Sequence, residues 1–450
     1  MHRASVVAAL AICSAPVAAQ ANPQDTLHAT EIEPVVVRVA RGRSSVNRAP
    51  FALTITTPDS TRPGQRHSAV DETLALIPGL SVNSRSNPSQ DPRLSIRGFG
   101  ARSAFGVRGI RVLRDGIPLT LPDGQTPLDY MSLESVGHVE VMRGSASALY
   151  GNASGGVIDL KSSAPASAKI AADVRQWLGA FGFNRTVVAA SGTTNRLYYQ
   201  GDVSRTTSEG AREHARQRAT SLFLRSGFIA GSTEYSASLL GFDMPQAENP
   251  GALTLAQMRA DPRAADQPSV IKNAHKAAKQ LQAALSANTT LSNGTLSGSV
   301  FAGARSLDNP LTFGIVEVGR HSQGASGRAS LTVPVMSALN YLSVGVDLQS
   351  QNDLRRNYAN CNESPSLSAP TASCPTILEE RGIVMLDQRE LVSSAGVYAS
   401  NEVALGSRLN LTAGVRADQV RFEVEDRMIS SGNPDDSGER TMKSVTPIVG

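Results

Sequence analysis

The sequence predicts a fold dominated by β-structure: a compact N-terminal α+β domain, then a long antiparallel sheet forming the wall of a transmembrane outer-membrane β-barrel. Three observations carry this expectation. From about residue 168 onward, segments of about ten residues alternate apolar and polar side chains, the two-residue period of a strand with one dry and one wet face. The connections alternate between tight and long: Asn293-Gly294 reads as a hairpin turn, whereas residues 242–276 and 351–389 read as long excursions. After the apolar stretch Val6 to Ala19, no run approaches the ~20 residues that a membrane-spanning helix needs.

The alternation is explicit in four segments. In Leu197 to Ser204, Leu197, Tyr199 and Val203 oppose Gln200, Asp202 and Ser204. In Gln280 to Thr290, Leu281, Ala283, Leu285 and Ala287 oppose Gln280, Gln282, Ser286 and Asn288. In Leu342 to Gln349, Leu342, Val344, Val346 and Leu348 oppose Ser343, Asp347 and Gln349. In Leu409 to Asp418, Leu409, Leu411, Ala413 and Val415 oppose Asn410, Thr412, Arg416 and Asp418. A soluble sandwich would turn the apolar face inward; a barrel in lipid turns it outward and keeps a polar lumen. The modest Leu, Val and Ala side chains of these faces favour the barrel. An aromatic content of 4% is low for a wall with two aromatic girdles.

Composition narrows the rest. Apolar residues make up 40% and charged residues 18% of 450, so the chain can bury a core and is not disordered. A net charge of +4 gives no concentrated basic face, and no nucleic-acid partner is expected. The three cysteines, Cys13, Cys361 and Cys374, share no metal-ligand spacing with histidine, so no metal site is expected. Residues 1–21 read as a secretory signal: His2 and Arg3, the apolar Val6 to Ile12, then small residues at 17–21. A lipoprotein reading around Cys13 is the alternative. Export leaves Cys361 and Cys374 in an oxidising compartment within a Pro-rich segment, where a disulfide closing an exposed loop or two free thiols would fit.

Residues 22–50 are polar, broken by one β-branched run, and residues 51–165 are compact and mixed. Phe51 to Thr57 reads as a strand. Val70 to Ile77 reads as a short helix with Val70, Leu74 and Ile77 on one face, stopped by Pro78-Gly79. Short strands follow at Leu94 to Ile96, Ile110 to Leu113, Val139 to Val141 and Gly156 to Leu160. Residues 166–450 form the alternating region.

Five ordered blocks across residues 51–165 resemble the plug of TonB-dependent outer-membrane receptors of the ferric siderophore or ferric citrate type. They are Asp71 to Val82, Leu94-Ser95-Ile96-Arg97-Gly98-Phe99-Gly100, Arg114-Asp115-Gly116-Ile117-Pro118, Val139-Glu140-Val141-Met142-Arg143-Gly144, and Ala148-Leu149-Tyr150-Gly151 followed by Gly155 to Asp159. The resemblance implies a plug inside a barrel of about 22 strands. About eleven or twelve strand candidates follow residue 168, and the chain stops at Pro447-Ile448-Val449-Gly450 in mid-strand. An N-terminal portion of such a receptor is therefore expected, since open strand edges are prohibitive in lipid.

The resemblance further implies an importer rather than an enzyme, with iron carried inside the chelate and no cofactor of its own. Its expected partners are the TonB energy-coupling protein, a ferric chelate ligand and outer-membrane lipid. Receptors for cobalamin, haem or an oligosaccharide, a passive or adhesive barrel, and a non-functional fragment are the alternatives. The TonB box falls at Glu33, Pro34, Val35, Val36, Val37, Arg38 and Val39, an extended β-branched run suited to adding to a partner's sheet edge; an ordinary linker or edge strand is the other reading. The plug loops at 83–93, 99–109 and 121–128 should meet ligand. From Arg93 to Arg114 inclusive there are six arginines and no acid, and guanidinium forks suit anionic oxygens. Arg85, Arg102 and Arg108 are the candidate ligand cations, with Gln125 and Thr126 as hydrogen-bond donors. Arg97 and Arg143 are expected to pair with acids of the barrel wall. Thr254-Leu255-Ala256-Gln257 has the spacing of a capping box, opening a short helix in a loop that either covers ligand or decorates the surface.

Overall fold

The computed structural model describes residues 39, 41, 51–58, 70–83, 87–103, 106–335, 338–361, 381–405 and 409–450. Residues 1–21, read as a signal peptide, Glu33 to Arg38 of the expected TonB box, Arg85 and Cys374 lie outside the described residues. Cys361 is buried and disulfide-bonded.

The first domain is a small mixed sheet. Strands β1 (Ala52–Thr56), β4 (Ile110–Arg114), β5 (Ile117–Pro118), β6 (Val136–Arg143) and β7 (Gly156–Ser162) take the spatial order β1-β6-β7-β4-β5. The β4–β7 pair is parallel; its companions are antiparallel. A separate hairpin joins β2 (Leu80–Asn83) and β3 (Arg93–Ile96). Helices α1 (Asp71–Leu74) and α2 (Ser147–Tyr150) are single turns. The Val70, Leu74 and Ile77 face is buried, as its spacing predicts, beside Leu94, Ile96, Val139, Val141 and Ile158. Gly156 is needed where it stands: at φ +143 an added Cβ would sit 2.2 Å from the Met142 carbonyl oxygen.

The second region is one antiparallel sheet of twelve strands among the described residues, each paired with the next in sequence. They are β8 (Ala171–Leu178), β9 (Asn184–Thr194), β10 (Leu197–Ser208), β11 (Gln217–Ala230), β12 (Thr233–Ala247), β13 (Ala277–Leu291), β14 (Gly294–Leu311), β15 (Gly314–Val335), β16 (Ala338–Asn360), β17 (Arg381–Leu405), β18 (Leu409–Asp426) and β19 (Gly438–Val449). The sheet is open, with β8 and β19 at its edges. Tight turns at 195–196, 231–232 and 292–293 share one rim. The opposite rim carries the loops 209–216, 248–276 and 427–437.

Burial along these strands is the reverse of a soluble protein's. The polar face of β10 is buried, with Gln200 at 5% and Asp202 at 2% exposure, while Val203 on the other face is 46% exposed. On β13, Gln282 is buried at 8% and Leu285 is 59% exposed. The same inversion sets Ser343 and Gln349 against Val344, Val346 and Leu348 on β16, and Thr412 and Arg416 against Leu411 and Val415 on β18. Apolar side chains on the convex side are stable only in hydrocarbon. The outward apolar band is bounded on the long-loop side by Arg205, Arg218, Asp243, Lys279 and Arg389. Between Lys279 and Thr289 it has the length of the ~9–11 residues that a tilted strand needs to cross a bilayer. Near the tight-turn rim, Phe228 and Tyr235 stack on the outer face at 5.2 Å. Among the described residues no helix is long and apolar enough to span a membrane.

The strands outrun the sequence expectation. Residues 351–360 and 381–389, expected within a loop, continue β16 and β17, and residues 242–247 continue β12. Above the hydrocarbon both faces are wet, so the apolar half of the two-residue pattern disappears while main-chain pairing persists. Cross-strand ion pairs such as Arg320–Asp353 (2.5 Å) and Arg356–Asp387 (2.9 Å) take over.

Candidate functional site

The mixed domain sits against the inward face of the sheet, and charged and polar groups fasten it along the seam. At one end, Asp129 accepts from Lys276 Nζ (2.8 Å) and Arg305 Nη2 (2.6 Å), and Lys276 also reaches Asp91 (2.7 Å). Near β8 and β9, Glu134 takes Arg175 (3.0 Å) and Arg185 (2.8 Å), and the Ser135 hydroxyl donates to Asp202. In the middle, Arg111 donates to Gln349 Oε1 (2.8 Å), Gln282 donates to the Pro118 carbonyl (3.2 Å), and Arg114 lies 3.6 Å over the Phe223 ring. Toward β16 to β18, Arg41 and Arg416 share Asp347. An apolar patch joins the two parts as well: Phe223, Leu240, Phe242 and Met244 of the wall belong to the same buried cluster as the domain's own core. A charge removed from water here needs its partner, which is why acids of one part meet bases of the other.

Electrostatics follow from this pairing. Burial alone would raise the Asp129 carboxyl, but the Lys276 and Arg305 charges outweigh it and hold the group well below the ordinary carboxylate range. Burial pushes Arg111 down to about 10, with Asp347 opposing the shift. In the domain's sheet Glu140 stands directly opposite Asp159, and burial raises the Asp159 carboxyl despite Lys161 at 2.6 Å. A lowered carboxyl contributes stability that is fully present above its unfolded value, near pH 3.9, and is lost as pH falls through the lower folded value. Docking through Asp129 should therefore be constant from pH 7 to 5 and weaken only below about pH 4. Hydrogen exchange of amides around Tyr130 against pH checks this; a loss of protection between pH 7 and 5 would contradict it.

The residues singled out from sequence fall differently. Arg102 and Arg108 are exposed, and Arg108 donates to the Asp123 carbonyl (3.3 Å). Gln125 is half-buried, its backbone N–H bonded to Asp123 Oδ1 (2.8 Å). Thr126 corrects the expectation of a ligand donor: it is fully buried, its backbone pairs with Val107, and its hydroxyl is 2.7 Å from that of Thr120. Arg97 and Arg143 correct the expected pairing with wall acids. Arg143 turns back onto its own domain, donating to the Pro78 carbonyl (2.5 Å) and to Thr54 Oγ1 (3.0 Å). Arg97 is exposed at φ +50 in the turn before Gly98 and lies along Gly79. Neither forms an ion pair to the wall among the described residues.

The capping box is present: Thr254 accepts from the Gln257 backbone and opens α3 (Leu255–Ala260), followed by α4 (Gln267–Ile271). This loop meets the domain through Asn249 and Asn87 (3.1 Å), beside the Lys276–Asp91 pair. The seam residues Arg41, Asp129, Glu134, Lys276 and Arg305 were not singled out from sequence. The available signal was the charged inward position, as at Asp347 and Arg416, but alternation alone names no partner.

Fold and seam define a class: an outer-membrane barrel wall with a stopper docked on its lumen face. Residues 45–157 match the family described as TonB-dependent Receptor Plug Domain. The ferric citrate transporter FecA in its unliganded form is 20% identical with a TM-score of 0.71, covering 90% of this chain and 60% of that one. The ferric yersiniabactin uptake receptor FyuA from Yersinia pestis is 17% identical with a TM-score of 0.66, covering 91% and 62%. The copper transporter OprC is 16% identical with a TM-score of 0.64, covering 88% and 60%. The chain thus spans about three fifths of the length of these structures.

Proposed function

We propose that this chain supplies the plug and part of the wall of an importer that carries a ferric chelate, a siderophore or ferric citrate, across the outer membrane with energy from TonB. The observation that carries the reading is the docked plug. A stopper fastened to the lumen wall largely by ion pairs and hydrogen bonds can part from it and leave surfaces that water solvates. An outer membrane holds no ATP, so the work comes from a partner that pairs with the β-branched run Glu33 to Val39. Ligand docks on the plug loops, where Arg102 and Arg108 are exposed and Arg85 precedes them in sequence. Guanidinium groups there favour anionic oxygen donors. Iron enters as cargo within the chelate.

Two results test this. Iron-starved cells bearing the full receptor should grow on a ferric chelate with carboxylate or other anionic ligands, and lose that growth when Val35, Val36 and Val37 become glycine. With Arg85, Arg102 and Arg108 all changed to Gln, chelate binding should weaken at least tenfold, from about 1.5–3 kcal/mol per charged hydrogen bond. Unchanged binding removes the anionic-ligand reading; growth only on cobalamin, haem or an oligosaccharide replaces it. Uptake that survives the glycine variant indicates a passive barrel.

A further inference from the structure

The chain entering the plug is fastened at Val39, the last residue of the run proposed to pair with TonB, and at Arg41. The Val39 N–H, fully buried, donates to Glu140 Oε2 at 2.8 Å. Two residues on, Arg41 donates from Nη1 to the Leu149 carbonyl (2.7 Å) and to Asp347 Oδ2 (3.2 Å), and from Nη2 to both Asp347 oxygens (3.3 Å). Its guanidinium carbon lies 4.0 Å from the Tyr150 ring centre and 4.4 Å from that of Tyr398. Arg41 is thereby tied to α2 of the plug and to β16 and β17 of the wall at once.

Three of these four partners are shared with a second cation. Arg416, on β18, donates from Nη1 to the same Leu149 carbonyl (3.1 Å) and the same Asp347 Oδ2 (2.7 Å), and lies 5.7 Å from the same Tyr398 ring. When Arg41 leaves, the Leu149 carbonyl and the Asp347 carboxylate keep a donor and a counter-ion. A buried acid left alone would oppose departure strongly; here the wall carries the replacement. The Asp129 end is built the other way. Both of its cations, Lys276 and Arg305, precede or lie on wall strands, and withdrawing the plug acid leaves them uncompensated.

We propose that Arg41 and Arg416 occupy one receptor together, Asp347 with the Leu149 carbonyl and Tyr398, and that Arg416 alone satisfies it once Arg41 leaves, which makes the root of the coupling segment a latch that opens without orphaning a wall group, while the Asp129 end stays clamped. This rests on the reading that TonB pulls from the N-terminal side. Arg416 is then a positioning residue for release, and its loss and the loss of Arg41 act in opposite directions.

The test is amide hydrogen exchange on the full receptor in membranes, reading the Val39 N–H, with the Val141 and Ile158 amides as a control for plug folding. Arg41→Gln should accelerate Val39 exchange at least tenfold and leave the control amides unchanged, and Arg41→Lys should restore part of the protection. Arg416→Gln should slow Val39 exchange at least tenfold, because opening now strands Asp347. A merely structural network would loosen in both variants. Acceleration in both, or an Arg41→Gln variant indistinguishable from wild type, overturns the proposal. Chelate uptake is read separately: if the exchange rates move in opposite directions as stated and uptake is indifferent to both, the latch stands and the TonB-driven import reading fails.

Discussion

Asp129→Ala will unseat one end of the plug. The substitution leaves Lys276 and Arg305, whose side chains are 7% and 8% exposed, facing a space without their shared acid. Lys276 retains Asp91, but among the described residues Arg305 keeps only Gln280 Oε1 at 3.1 Å and the Tyr130 ring, its centre 5.8 Å away. Breaking a buried pair by removing one partner costs about 3–5 kcal/mol, a loss of protection of about two to four orders of magnitude if local opening exposes the amides. Exchange of the Leu128 to Met131 amides should accelerate accordingly, while the barrel strands keep their protection. The control is Asp173→Ala on β8, where the acid side chain is 56% exposed and its pair with Arg175 is solvent-screened; its effect should lie within about 0.5 kcal/mol. Equal behaviour of the two variants would mean that apolar packing on Phe223, Leu240, Phe242 and Met244 alone seats the plug.

Leu285→Arg will be the most damaging change on the wall. Leu285 projects outward midway between Lys279 and Thr289, and its neighbours on the same face, Leu281 and Val300, are 52% and 51% exposed. Arginine at the middle of the lipid face costs about 2–4 kcal/mol, whereas the lumen face accepts polar groups. Ser286→Arg moves the same charge by one residue to the inward face and should cost far less. The comparison is made by denaturant unfolding of the assembled receptor in bilayers. A soluble protein would show the reverse order, since arginine on an exposed face is harmless and arginine on an inward face is not.

Legibility in the sequence followed the range of each physical signal. Local rules read well: the Thr254 capping box, the Val70–Leu74–Ile77 face and the Pro78-Gly79 stop all depend on neighbours within a few residues. The two-residue period marked the wall wherever one face met lipid and the other the lumen. It failed above the membrane, in β16 beyond Gln351 and in β17 before Arg389, because both faces there are wet. Pairings between distant positions were not legible. Asp129 and Arg305 are 176 residues apart, and Arg41 and Asp347 are 306 apart, and nothing in either neighbourhood names the other. Arg143 and Thr126 show the converse. Their residue types fitted an outward role, but the plug's own backbone, at Pro78 for one and Val107 for the other, occupies them first.

The account depends on lipid outside the sheet and plug within it. Lipid-borne quenchers test this directly on single-cysteine variants carrying a fluorescent label in reconstituted bilayers. Labels at Leu224, Val300 and Leu348, all outward, should be quenched strongly, while labels at Gln200, Gln282 and Ser343, all inward, should not. Quenching of the inward set with protection of the outward set, or quenching of neither, would contradict it.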